Sequence, residues 1–399
     1  MLIEFTFDKK LLFLLIFPIF KQIDSNVKIY YAKKDNKLFR IFRLFLSYEI
    51  SIIFLLISIY RNKTRKKIKT DESAKNWDDI NSNKIVDYEV KRHEKIKKLK
   101  SFLFLTLLSI INISCYFYNY YVGNDNIKFS RNTIGIIFEF IMYSILSAII
   151  LKEKYYRHHY LTSIIIIFLL IGLFIIYFIQ LEDKSEYYNI FWYFLFYTLL
   201  YGLFNVLLKK YYILNFHSTY YILLVIGAIC IIPLLLYDII AYFINKDKSG
   251  IIIGFKDNIN DLKTLSFFLV DLISLFTFNV GIMLTIYYFT PFHFIISEFI
   301  SELLKYYINM ILFYSHDKTG NYDFIYETNN MIVFSFVFLI NLLCSLVFNE
   351  IIILKFYYFE YYTKKYIKKR ARIDYSSLIT IEESSNDSNN EIDSSINSG

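Results

Sequence analysis

The chain has 399 residues, 56% of them hydrophobic and 20% aromatic, with 41 Phe and 38 Tyr against 10 Gly and 3 Pro. No water-soluble core hides that much apolar surface, so lipid is the expected solvent for much of the chain, and the low Gly and Pro counts exclude collagen-like and Pro-rich classes. The net charge of +8 comes from 44 Lys and Arg against 36 Asp and Glu, and loop asymmetry accounts for it without a surface for nucleic acid.

Along the chain, the first apolar stretch, residues 5–20, follows Glu4, carries Asp8 and has Pro18 near its end. It lacks a small-x-small cleavage site and reads as retained: a short span, a re-entrant element or an interfacial helix. Apolar runs of about 20 residues or more, each long enough for about 30 Å of hydrocarbon, follow at 38–60, 101–123, 132–151, 161–181, 189–208, 218–244, 264–288, 291–314 and 331–352. Cys115, Cys230 and Cys344 lie inside these runs as buried thiols, without a disulfide framework or metal-binding spacing.

With both termini cytoplasmic, the cytoplasmic segments carry about twice the Lys and Arg of the opposite side, as the positive-inside rule requires. Lys21, Lys28, Lys33, Lys34 and Lys37 dissent, and they join the cytoplasmic side if 5–20 does not cross. The 61–100 loop has basic ends around an acidic middle. After Leu354, the aromatics Tyr357 to Tyr362 precede Lys364, Lys365, Lys368, Lys369, Arg370 and Arg372, a mix suited to anionic lipid at the membrane surface. Residues 376–399 are rich in Ser, Asn and acid and are expected to be disordered.

The expectation is therefore an all-α polytopic membrane protein of about ten transmembrane helices. They divide into a first five-helix repeat (1–182), a second (187–354) and a tail (355–399). Five spans per half invert one half relative to the other, which puts a solute site near the midplane between them. In each half the third and fourth helices, 101–151 and 264–314, read as a tight hairpin.

Three stretches carry a resemblance. Residues 143–178, YSILSAIILKEKYYRHHYLTSIIIIFLLIGLFIIYF, join a helix to a Gly-containing helix through a short basic loop. Residues 201–212, YGLFNVLLKKYY, resemble the opening helix of a second repeat, and TPFHFIISEFISELLK (290–305) with LVFNEIIIL (346–354) resembles a last helix pair. Over roughly 100–354 the chain resembles divergent eukaryotic members of the drug/metabolite transporter superfamily with an EamA-like fold. That likeness implies a ten-helix solute carrier among whose relatives are nucleotide-sugar and triose-phosphate exchangers. Neither the FYNN nor the GALNK motif of GDP-mannose carriers occurs, so that substrate is not supported.

Ionisable groups at bilayer depth cost about 2.5–3.5 kcal/mol on insertion scales and therefore face protein or water. Thr290 and Pro291 suit N-cap and first-turn positions. Glu298, Glu302, Lys305 and Asn309 then fall at i, i+4, i+7 and i+11 on one face, flanked by Ser297 and Ser301, as one wall of a solute pathway or as an intrahelical pair with a snorkelling Glu298. Counted from the 289–290 turn, Asp271 and Lys305 differ in depth by about 4–5 Å, close enough to neutralise one another, and Asn279 is level with Glu298 and Glu302. Glu139, with Ser144 and Ser147 on its helix, and Asn205, beside Gly202, complete the pathway candidates. Glu49 and Asp238 read as structural, with Arg43 as a partner for Glu49. Gly135, Gly172, Gly227 and Gly281 read as packing positions, and Pro233 as a kink. Buried carboxylates outnumber Lys305, so local electrostatics point away from an anionic nucleotide while the resemblance points toward nucleotide sugars.

There is no GxxxxGK[ST] and no HExxH. His158 and His159 lie about 100° apart on a helix, chelate poorly, and are expected at the headgroups. The reading is a secondary transporter of a small polar metabolite, by exchange or proton coupling, without metal or other cofactor and without enzymatic activity. Its partners are the solute and membrane lipid, not nucleic acid, with a homodimer open. Its location is the endomembrane system (Golgi or ER) or the plasma membrane. The rivals are a seven-helix chemoreceptor-type receptor or channel, whose termini would lie on opposite sides, and a membrane acyltransferase built around His293.

Overall fold

The computed structural model describes residues 3–5, 19, 37–60, 84–121, 130–180, 184–215, 217–245, 250–259, 262–301, 304, 328–355, 363 and 366. These residues are predominantly helical: α1 (Lys37–Glu49), α2 (Lys84–Tyr121), α3 (Ser130–Leu146), α4 (Arg157–Gln180), α5 (Lys184–Leu214), α6 (Thr219–Asn245), the short α7 (Ile251–Ile259), α8 (Leu262–Tyr288), α9 (291–301) and α10 (Thr328–Phe348). Two three-residue strands, β1 (Ile3–Phe5) and β2 (Ile352–Leu354), pair antiparallel with Glu4 opposite Ile353.

Among the described residues, five helices are long and apolar enough to cross a bilayer: Leu38–Tyr60, Lys98–Asn119, Phe191–Leu214, Thr219–Ile244 and Thr264–Tyr288. Gly135–Leu151 and Ser335–Phe348 are apolar but shorter. The outward faces agree with a lipid solvent. Ile232, Leu236 and Ile240 on α6 and Ile164, Phe168 and Ile171 on α4 are all exposed, a greasy stripe on each helix that water would penalise. The first and last of these five spans coincide with the hydropathy runs 38–60 and 264–288.

Local chemistry sets the irregularities. The first span breaks at Ile50, where Ser47 and Ser51 hydroxyls donate to the carbonyls of Leu44 and Tyr48, competing with the helical ladder. After α3 a π-turn, Ser147–Leu151, ends on Lys152 with φ 56°. Pro291 opens α9, as its fixed φ and missing N–H favour. The start of α7 is capped from outside: both carboxylate oxygens of Asp238 on α6 accept from the Ile251 and Ile252 N–H groups, at 3.0 and 3.4 Å.

Side chains bury into two apolar clusters. One joins α1, α2, α6, α7, α8 and the C-terminal half of α5, around Phe39, Phe45, Leu108, Leu208, Ile226 and Leu275. The other joins α3, α4, α9, α10 and chiefly the N-terminal part of α5, around Phe140, Ile166, Tyr193, Phe299 and Phe338. Each cluster takes helices from both sequence halves, and the 31-residue α5 runs through both. The closest pairings are α1 with α6 and α8, α2 with α5 and α6, α3 with α4 and α5, and α4 with α10. Gly227 permits the α1–α6 approach, since a β-carbon there would stand 2.7 Å from Glu49 Oε1 and 2.9 Å from Tyr48 Cβ. The tight hairpin expected over 101–151 is corrected: among the described residues α2 and α3 do not pack along one another, because α5 packs against both.

One end of the bundle gathers several connections. Ser101 at the start of the second span meets Tyr211 near the end of α5, and Lys209 donates to the Ile286 and Tyr287 carbonyls at the end of α8. Asn349, just after α10, donates to Phe292 at the start of α9 and Phe348 packs edge-on to His159 at the start of α4. The β1–β2 pair follows at this same end. The opposite end holds the start of α1, where Phe39 packs on Phe255 and Phe268.

Candidate functional site

Three elements converge where the two apolar clusters meet. On α5, Tyr193, Tyr197, Tyr201 and Asn205 recur at intervals of four residues and so line one stripe. The Tyr193, Tyr197 and Tyr201 rings stack in succession with centroids 5.9 Å apart. Asn205 ends the stripe and donates to the Tyr143 hydroxyl of α3 at 2.5 Å. Gly202, one turn earlier, lets the two helices meet: a β-carbon there would touch Leu146 and the Tyr143 ring at 3.2–3.3 Å. Glu139 lies one turn before Tyr143 on α3, and Glu298 reaches the same region from α9, both within electrostatic range of the Tyr143 and Tyr201 phenols. Glu139, Tyr143, Asn205 and Glu298 are all buried, and Tyr197 and Tyr201 are half-buried.

The polar groups continue across the interface. Cys115 and Tyr116 of α2 are within electrostatic range of Tyr197. Tyr116 and Asn112 lie near the Tyr48 hydroxyl on α1, which donates to Asn279 Oδ1 on α8 at 3.2 Å. A strip of hydroxyls, amides and carboxylates thus passes between two greasy cores. It offers acceptors and donors on several helices to a hydroxylated or charged small molecule, inside the bundle where such groups are otherwise costly.

Of the pathway residues expected from sequence, Glu139, Asn205 and Glu298 come together in this cluster. Asn279 joins the strip through Tyr48, and its own side chain also donates to the Leu275 carbonyl at 2.7 Å. Asp271 is fully buried against Arg43 of α1, with Nε 2.8 Å from Oδ2. Arg43, near the start of the first span, is therefore a buried cation, 1% exposed. Glu302, Lys305 and Asn309 lie outside the described residues. Sequence reasoning missed Tyr143, Tyr197 and Tyr201, although the four-residue recurrence of Tyr ending in Asn205 was there to be read.

A second constellation sits at the end of the bundle. A cavity of about 240 Å³ is bordered by the 152–156 connection, Thr290 and His293, and by Phe348 to Glu350 after α10. Burial pushes the Tyr155 phenol above its ordinary value, and its hydroxyl donates to the Ser144 carbonyl at 2.7 Å. At this end of the bundle His158 and His159 are buried, 3% and 5% exposed, and Glu350, with φ 57°, approaches them from the turn after α10.

No protein-family model matches the chain, and no curated protein matches it.

Proposed function

We propose that the protein is a secondary carrier for a small polar solute, working by alternating access between two inverted five-helix repeats. The observation that carries this reading is the convergence of Glu139, Tyr143, Asn205 and Glu298 from three helices at the seam of the two cores. Such buried polar groups, facing protein instead of lipid, mark solute pathways in membrane proteins.

The packing pattern supports the repeat. If residues 5–20 are counted as the first of ten helices, α1 and α6 hold corresponding positions in the two halves, as do α4 and α10. Both pairs pack together, as elements beside a pseudo-two-fold axis must. The α1–α8 and α2–α6 contacts exchange with one another under the same operation, and both are present. Even parity is supported too: β1 and the end of α10 share one end of the bundle, whereas α1 starts at the other. With the positive-inside asymmetry, this supports two cytoplasmic termini. The likeness to drug/metabolite transporters over residues 100–354 agrees with this organisation.

The seam contributes two carboxylates, and the buried cation Arg43 is already beside Asp271. A solute offering hydroxyl or ammonium donors therefore fits better than a phosphate anion. The test is uptake by the full chain in proteoliposomes, screening amines, sugars, small metabolites and nucleotide sugars. For the solute transported, Glu139→Gln and Glu298→Gln should each cut the rate about 10- to 100-fold, the worth of a hydrogen bond to a charged group. Wild-type rates in both variants would overturn the reading.

A further inference from the structure

We propose that His158, His159 and Glu350 form a binding site for a zinc-class divalent cation, tying the first turn of α4 to the turn that follows α10. One ligand atom from each of the three residues lies within 4.8 Å of the other two, and His158 Nε2 is 3.6 Å from Glu350 Oε1. Tetrahedral zinc, bound at about 2.0–2.1 Å, holds its ligand atoms about 3.3 Å apart, so side-chain adjustments alone close the site.

Three observations favour a metal over a plain histidine–glutamate pair. The 3.6 Å separation is too long for a hydrogen bond, and neither ring nitrogen of the buried His158 has a hydrogen-bond partner. In the neutral ring one of those nitrogens carries the lone pair, and a cation would accept it. The two imidazole centroids are only 4.0 Å apart, tilted by 36°. Two imidazolium cations so placed would repel, whereas two neutral rings can share one dication. Glu350 reaches the histidines from a left-handed backbone that a residue with a β-carbon adopts at a cost, the kind of strain retained where a side chain must be aimed.

The donor set also selects the ion. Two imidazoles and one carboxylate suit zinc and its cobalt, nickel and copper neighbours, while magnesium and calcium require more oxygen ligands. His159 and Glu350 both line the 240 Å³ cavity, which leaves room for water at a fourth position. A neutral imidazole has one lone pair, and that of His159 now accepts the Tyr156 N–H at Nδ1, 3.0 Å away. Metal and amide compete for it. Loading the site therefore costs the Tyr156 N–H this acceptor and removes one of the bonds that hold the 152–156 connection.

This proposal stands apart from the carrier reading, and its test needs no transported solute. The full chain, purified in detergent without a polyhistidine tag and stripped with chelator, is titrated with Zn²⁺ by calorimetry, with Mg²⁺ and Ca²⁺ as controls. One Zn²⁺ per chain should bind and neither control should. His158→Gln and Glu350→Gln should each weaken Zn²⁺ at least about tenfold, while His217→Gln, which alters a histidine beside Tyr211, leaves it unchanged. Absence of stoichiometric Zn²⁺, or equal binding by the His158→Gln/Glu350→Gln double variant, overturns the site. Should a variant fail to fold, Co²⁺ in the wild-type chain decides: an intense visible spectrum of tetrahedral character supports the site, and a weak octahedral one overturns it.

Discussion

Removing the carboxylate of Asp271 should damage the fold far more than removing both members of its pair. Arg43 and Asp271 are 1% and 0% exposed, with Nε and Oδ2 2.8 Å apart, and they join α1 to α8 within the first apolar cluster. At that separation the attraction is about 6 kcal/mol for an effective dielectric of 20, and the cost of taking both ions out of water offsets much of it. Asp271→Asn leaves the guanidinium buried without its counter-charge and should cost about 3–5 kcal/mol. The Arg43→Met/Asp271→Leu double variant removes charge and desolvation together and should fall within about 1–2 kcal/mol of wild type. Cys115, Cys230 and Cys344 are all buried free thiols, so a thiol-reactive dye follows unfolding of the full chain during titration with a denaturing detergent. A double variant as unstable as the two single losses added together would refute the argument. If the pair is structural, the double variant also retains transport.

Gly227→Ala should destabilise by about 1–3 kcal/mol in the same assay, because its β-carbon meets Glu49 and Tyr48 below 3 Å, whereas Gly172→Ala, with nothing within 4 Å, should be neutral or stabilising by up to about 1 kcal/mol. Asp238→Ala, which strips the cap from α7, should cost about 0.5–2 kcal/mol, and Asp238→Asn, retaining one acceptor oxygen, should cost less. The register of β1 on β2 is open to covalent test: Glu4→Cys with Ile353→Cys should form an oxidative cross-link, and Glu4→Cys with Leu262→Cys, at the far end of α8, should not. Cross-linking of the second pair would undo the even parity.

How much of this was legible beforehand follows from which interactions are local. Hydropathy located the first span at 38–60 and the α8 span at 264–288 because burial in lipid depends on run length alone. The start of α9 was readable from Thr290 and Pro291, whose chemistry acts within one turn. Glu139, Asn205 and Glu298 stood out as polar groups in apolar runs, but nothing along the chain said they would meet, since they lie on α3, α5 and α9. Asp271 illustrates the limit. Depth counting along one hairpin pointed to Lys305, which lies outside the described residues, and could not point to Arg43, which stands beside Asp271 from more than two hundred residues earlier. The adjacent histidines show the same limit: spacing on a single helix says that His158 and His159 diverge, and it contains no information about a carboxylate arriving from the turn after α10.

By itself, then, the sequence determined the class: a helical protein with several apolar segments long enough to cross a membrane, its polar residues confined to a few positions along them. Those outcomes depend on composition and on contacts within a few residues. Tertiary packing decided the rest. It set α5 against both α2 and α3, joined helices of both sequence halves in each core, and brought Glu139, Tyr143, Asn205 and Glu298 to one seam. The physical reason is that lipid rewards any apolar face about equally, so the choice of neighbour falls to close approach at small residues such as Gly202 and Gly227 and to polar groups that must find partners inside the bundle.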